Sequence, residues 1–119
     1  NPLACVVAKK ALEVVIEEDL ANNANVLGER FRNGMNSLIS KTDLVEKVRG
    51  KGLLNAIIIN DSPESTTAYD ICLALRDNGL LAKPTHGNII RFAPPLVINE
   101  QQMDECISII ESTILDFKK

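Results

Sequence analysis

Between residues 44 and 60 two strand-like runs, Leu44 to Arg49 and Leu53 to Asn60, are separated only by Gly50-Lys51-Gly52. So short a link cannot join neighbouring parallel strands, which need a crossover of about a dozen residues or more. The two runs must therefore turn back on each other, with glycine supplying the positive φ of a tight reversal. A hairpin here commits the chain to an antiparallel element around which the rest has to pack. The same triplet makes a poor phosphate cradle, because the P-loop spacing is missing and no dinucleotide fingerprint leads from a strand into a helix.

Helical periodicity surrounds this hairpin. Asn1-Pro2 is a helix start, since Asn can accept an orphan amide and Pro at the first position strands no donor. The helix it opens is expected over about 2–18. Its apolar residues (Leu3, Val6, Val7, Leu12, Val15, Ile16 among them) cover more than one face, so part of it is expected to pack on something outside the chain. A second, plainly amphipathic helix follows Asp19, which is available as its cap. Ser62-Pro63 is expected to open a third, with Ala68, Ile71, Cys72 and Leu75 inward and Asn78-Gly79 as its stop. Short strands are expected over Leu80 to Lys83 and Asn88 to Ala93, on either side of the turn cluster Pro84-Thr85-His86-Gly87. Asn99 and Gln102 form a capping-box pair for a last helix. The order is ααββαββα: an α+β fold, a small mostly antiparallel sheet covered by helices, with 1–119 as a single domain.

Composition narrows the function. The 119 residues carry 13 Lys plus Arg against 16 Asp plus Glu, no Trp and one Tyr. A net charge of −3 with so few aromatics removes the basis for nucleic-acid binding. No apolar run approaches the ~18 residues of a membrane span, so no membrane role is expected. Size scaling gives about 6,000 Å² of exposed surface for one compact domain. Cys5, Cys72 and Cys106 are odd in number, far apart and set among apolar residues, which predicts buried reduced thiols and a reducing compartment, cytoplasm or mitochondrial matrix. No metal is expected, because one His and scattered Cys lack ligand spacing.

Arg91 is the most informative side chain. It is the only charged residue between Lys83 and Glu100, within Ile89-Ile90-Arg91-Phe92-Ala93-Pro94-Pro95-Leu96. Strand alternation puts it on one face with Ile89 and Ala93, opposite Ile90 and Phe92. Its fork of donors suits a carboxylate, gripped by two parallel hydrogen bonds. The alternative is an arginine whose stem snorkels along the sheet edge to water. His86 has the neutral-range titration that catalysis uses, but sequence places no nucleophile or orienting group beside it, so a loop role is the simpler reading. Lys83, before Pro84, could be a desolvated nucleophile or an ordinary solvated lysine.

Three stretches carry a resemblance: NPLACVVAKKALEVV, VRGKGLLNAIII and LRDNGLLAKPTHGNIIRFAPPLVI. Together they resemble the C-terminal small domain of class III pyridoxal-phosphate-dependent aminotransferases, and within that class the ornithine aminotransferases, nearly end to end. The resemblance implies a longer parent with an N-terminal large domain, assembled as a homodimer or higher oligomer, and residues 1–18 as an interdomain helix. The parent would move the δ-amino group of L-ornithine to 2-oxoglutarate, giving glutamate 5-semialdehyde and glutamate, with pyridoxal 5'-phosphate as cofactor. It also implies that Arg91 reaches into the active site to bind substrate carboxylate, with Thr85 and His86 at the edge of that site. The family's cofactor lysine, the aspartate facing the pyridine nitrogen and the glutamate that pairs with the arginine lie upstream, and no lysine of this chain matches the first. The fragment alone is therefore expected to bind no cofactor and to be inactive. Rival readings are a free-standing module for small carboxylates, another class III aminotransferase, or a piece that self-associates through its first helix.

Overall fold

The structure, a computed structural model, describes residues 1–118; Lys119, the last residue of the single domain expected over 1–119, lies outside the described residues. Helices α1 (Pro2–Glu17) and α2 (Leu20–Ile39) precede strands β1 (Val45–Lys51) and β2 (Leu54–Ile59). Then come α3 (Thr67–Asp77), β3 (Lys83–Thr85), β4 (Ile89–Phe92) and α4 (Glu100–Asp116), the order read from the sequence. The strands form one four-stranded sheet, β1-β2-β4-β3, antiparallel at every pair.

Alternation decides which side of the sheet is buried. Asn55, Ile57 and Ile59 of β2 and Ile90 and Phe92 of β4 point inward, while Leu54, Ala56 and Ile58 and then Ile89 and Arg91 point away. A bulge between Val45 and Lys47 shifts the parity of β1, so Val45 and Val48 both face the core. Against this face pack Leu27, Phe31, Met35 and Leu38 of α2, Ile71 and Leu75 of α3, and Met103, Ile110 and Ile114 of α4. Among the described residues no helix covers the other face, so the helical layer is one-sided.

The hairpin is locked to α2. Strand β1 runs on through Gly50, and the reversal falls at Gly52-Leu53, later than expected, because Lys51 pairs with Leu54. Gly52 alone there has a left-handed φ, +54°. Gly50 is needed for closeness, since a Cβ would lie 2.2 Å from Asn55 Oδ1. Buried Asn55 donates through Nδ2 to the Gly52 carbonyl (3.0 Å), and Arg32 of α2 donates to Asn55 Oδ1 (2.9 Å) and to the same carbonyl (3.1 Å). These contacts hold α2 on the turn.

Local chemistry moved several boundaries. Helix α3 starts at Thr67 because Ser62 to Ser65 close a turn, Ser65 N–H donating to the Ser62 carbonyl (3.0 Å). Strand β3 starts at Lys83 because Leu80 still belongs to the end of α3, its N–H donating to the Leu75 carbonyl (2.9 Å) behind Gly79 at φ +89°. Asp19 does not cap α2 with its side chain: it sits at φ +49°, and its backbone carbonyl accepts from Asn22 and Asn23 (3.1 Å each). Cys72 is buried and Cys106 half-buried as expected, but Cys5 is exposed, because α1 buries none of its residues.

That last fact also explains the shape. The surface is 7429 Å² and the radius of gyration 16.1 Å, against about 13.5 Å for a compact chain of this length. Helix α1 packs within the chain on α2 and leaves Leu3, Val6, Val7, Leu12 and Ile16 open.

Two outcomes test this packing. Gly28→Ala would put a Cβ 1.8 Å from the Gly52 carbonyl oxygen and is expected to destabilise by about 3 kcal/mol, the upper end for overpacking. Gly79→Ala meets nothing within 4 Å and is expected to cost only its left-handed backbone, about 1 kcal/mol; equal losses in urea denaturation would contradict the α2–turn lock. Arg30 of α2 donates to both carboxylate oxygens of Asp104 on α4 (2.6 and 2.7 Å), holding that carboxyl below its ordinary value. A lowered folded pKa contributes stability above the ordinary carboxylate range and loses it as pH falls through the lowered value. Urea midpoints of the wild-type chain and Asp104→Asn should therefore differ near neutrality and converge in acid; a gap that persists in acid would contradict the pairing.

Candidate functional site

The open face of the sheet collects cations. Alternation along Val45–Lys51 sends Lys47, Arg49 and Lys51 outward, and the register continues the Arg49 row across the sheet as Arg49, Ala56, Arg91, Lys83. Lys47, Arg49, Lys51, Lys83 and Arg91 are all exposed there, over the lower relief of Leu54, Ala56, Ile58 and Ile89. The acidic side chain on these strands, Glu46, is exposed at the β1 bulge outside the register, and the outward register positions carry none.

Arg91 stands on β4, an inner strand, so it rises from the middle of the face and not from a sheet edge. Its neighbour on β2 is Ala56, whose small side chain leaves a groove of about 300 Å³ walled by Arg49, Lys51 and Arg91. Among the described residues Arg91 has neither a hydrogen-bond nor an ion-pair partner, whereas Arg30 and Arg76 both pair with carboxylates. A guanidinium keeps its charge, so this fork is free to take an anion from outside the chain.

Thr85 lies on the Arg91 face, half-buried, one register row away opposite Ile89. His86 is exposed in the β3–β4 turn at φ +49°, next to Gly87 at +76°. A Cβ on Gly87 would come 1.9 Å from the Pro63 carbonyl oxygen, so the turn rests directly on the β2–α3 loop. The fold thus gathers Arg91, Lys83 and Thr85 on one face, with His86 at its rim and joined to Arg91 by no side-chain hydrogen bond among the described residues. The Lys47, Arg49, Lys51 comb, legible in Val45–Lys51 from its alternation, is the part of the face that sequence reading missed. Among the described residues no group of three His, Cys, Asp or Glu is placed to hold a metal ion.

The two inward cysteines are not poised for chemistry. Burial pushes the Cys72 thiol up to about 11, and burial together with Glu105 raises that of Cys106.

These features define a small α+β domain that presents on its open sheet face an arginine with no side-chain partner among the described residues. The Aminotransferase class-III family matches residues 1–114, and the chain belongs to that family. Within it the chain is 60% identical over 115 residues to the mitochondrial ornithine aminotransferase of Drosophila melanogaster, covering 97% of this chain and 26% of that protein. Its fold matches the acetylornithine aminotransferase of Elizabethkingia anophelis with a TM-score of 0.97 and 65% identity, covering 98% of this chain and 30% of that one. It also matches an ornithine aminotransferase of Toxoplasma gondii, described with partial occupancy of pyridoxal phosphate at its active site, with a TM-score of 0.86 and 38% identity over 97% of this chain and 27% of that one. The chain spans about a quarter of the length of its curated relatives. No described helix is long and apolar enough to cross a membrane.

The residues present do not by themselves fit pyridoxal phosphate. Each described lysine is exposed, and no outward position of the open face carries an aromatic ring to stack a pyridine.

Thiol reactivity tests the burial pattern. With a disulfide reagent near pH 8, Cys5 of the chain is expected to react fast. Cys72 should react roughly 100-fold more slowly than it would as a thiol of ordinary acidity, because burial pushes it up to about 11 and removes that much thiolate near pH 8. Equal rates for the two would contradict it.

Proposed function

We propose that the chain is the C-terminal small domain of an ornithine aminotransferase. It forms a single domain of the parent, assigned to residues 1–119 of the sequence, and is joined through an interdomain helix over 1–18 to an upstream large domain. The exposed apolar residues of α1 and the quarter-length match to the curated relatives support that division. The parent transfers the δ-amino group of L-ornithine to 2-oxoglutarate, giving glutamate 5-semialdehyde and glutamate. It works as a homodimer or larger assembly, in the mitochondrion if it follows its Drosophila relative. Pyridoxal phosphate, the cofactor of the class, is held by residues outside this chain, and the chain alone is inactive.

The observation that carries this reading is Arg91: a guanidinium in mid-sheet with no partner among the described residues, on the side the helices leave open. There it binds the carboxylate of the oxo acid, with Thr85 and His86 at the edge of the site. It positions charge and moves no proton, because a guanidinium does not deprotonate in proteins.

A second reading has its own support. The 65% identity to an acetylornithine aminotransferase favours a donor whose α-amino group is acetylated. Comparing kcat/KM for L-ornithine and N-acetylornithine in the full-length protein separates the two donors.

For the arginine itself, Arg91→Ala in the full-length protein is expected to weaken use of 2-oxoglutarate by ~2 to 5 kcal/mol, the range for truncating one partner of a hydrogen-bonded charge pair. Unchanged kinetics in both half-reactions would refute the assignment.

A further inference from the structure

We propose that Lys83 is a second substrate-binding residue, closing on the carboxylate that Arg91 grips. The inference rests on reading Arg91 as the carboxylate anchor and adds a partner to it. Lys83 and Arg91 are direct register partners on β3 and β4, both on the open face and both exposed. Side chains opposite one another in an antiparallel pair have Cβ atoms about 5 Å apart, and like charges placed so repel. Neither cation has an ion-pair partner among the described residues, and the next member of their row beyond Ala56 is a third cation, Arg49. A carboxylate seated over Arg91 removes the repulsion. Two guanidinium N–H groups take one lone pair on each carboxylate oxygen, and each oxygen keeps another for the ammonium of Lys83. The two flanks of Arg91 differ accordingly: Ala56 leaves the groove open for the ligand, and Lys83 stands on the other side as a flexible point charge.

The test uses the full-length protein and 2-oxoglutarate, with each half-reaction followed separately. Lys83→Met is expected to raise KM for 2-oxoglutarate about tenfold, the size of one charge-assisted contact, while kcat and the KM for the amino donor stay within about twofold. Lys83→Arg, which keeps the charge, is expected to restore KM to within about threefold of wild type. If Arg91→Ala raises the oxo-acid KM and Lys83→Met does not, this proposal fails while the reading of Arg91 stands. If Arg91→Ala leaves it unchanged, that reading fails and takes Lys83 with it. A parallel loss in both half-reactions on Lys83→Met, unrelieved by Lys83→Arg, makes Lys83 structural and also overturns the proposal.

Discussion

One-sided burial of the sheet is the constraint from which the rest follows. Helices α2, α3 and α4 all pack on the face that carries Ile57, Ile59, Ile90 and Phe92. The period of two along each strand then forces every alternate residue onto a surface that no helix covers among the described residues. In β1 those residues are Lys47, Arg49 and Lys51, and in the paired strands they include Lys83 and Arg91. An antiparallel sheet tolerates a wet face, so the arrangement is stable without a second helical layer. Repulsion along the row is not relieved from within the strands, which makes the face receptive to an anion.

The hairpin fixes where that face stands. Gly28 and Gly50 allow α2 and the Asn55 side chain to approach the turn at distances no Cβ would permit, and Gly52 supplies its left-handed φ. Arg32 and Asn55 then satisfy each other and the Gly52 carbonyl. Because Asn55 pairs with Phe92 and Ala56 with Arg91, the same lock sets the position of β4 and of the side chain it carries. Arg32 and Arg91 thus illustrate two uses of one residue type: the first is spent on carbonyl oxygens inside the fold, and the second is left open.

Most of this was legible in the residues. The element order, the inward faces of α2 and α4, the capping box at Asn99 and Gln102, and the opposite sides of Arg91 and Phe92 all follow from periodicity and local hydrogen bonding. Local turn chemistry was harder to read. The Leu80 N–H bond back to Leu75 delayed β3, and the turn at Ser62 to Ser65 delayed α3; each is a backbone contact that no spacing rule reveals. The apolar neighbours of Cys5 suggest burial, but among the described residues α1 packs on α2 in a contact that buries none of its side chains. The pairing of Lys83 with Arg91 depends on the register of β3, which the later start of that strand determines.

The most direct test of the account is the structure of the full-length protein with a 2-oxo dicarboxylate bound. The account predicts a carboxylate over the open sheet face, held by two Arg91 N–H groups at N···O distances of about 2.7–2.9 Å. A ligand held elsewhere, with the Arg91 guanidinium in solvent or paired permanently to a carboxylate of the large domain, would contradict it.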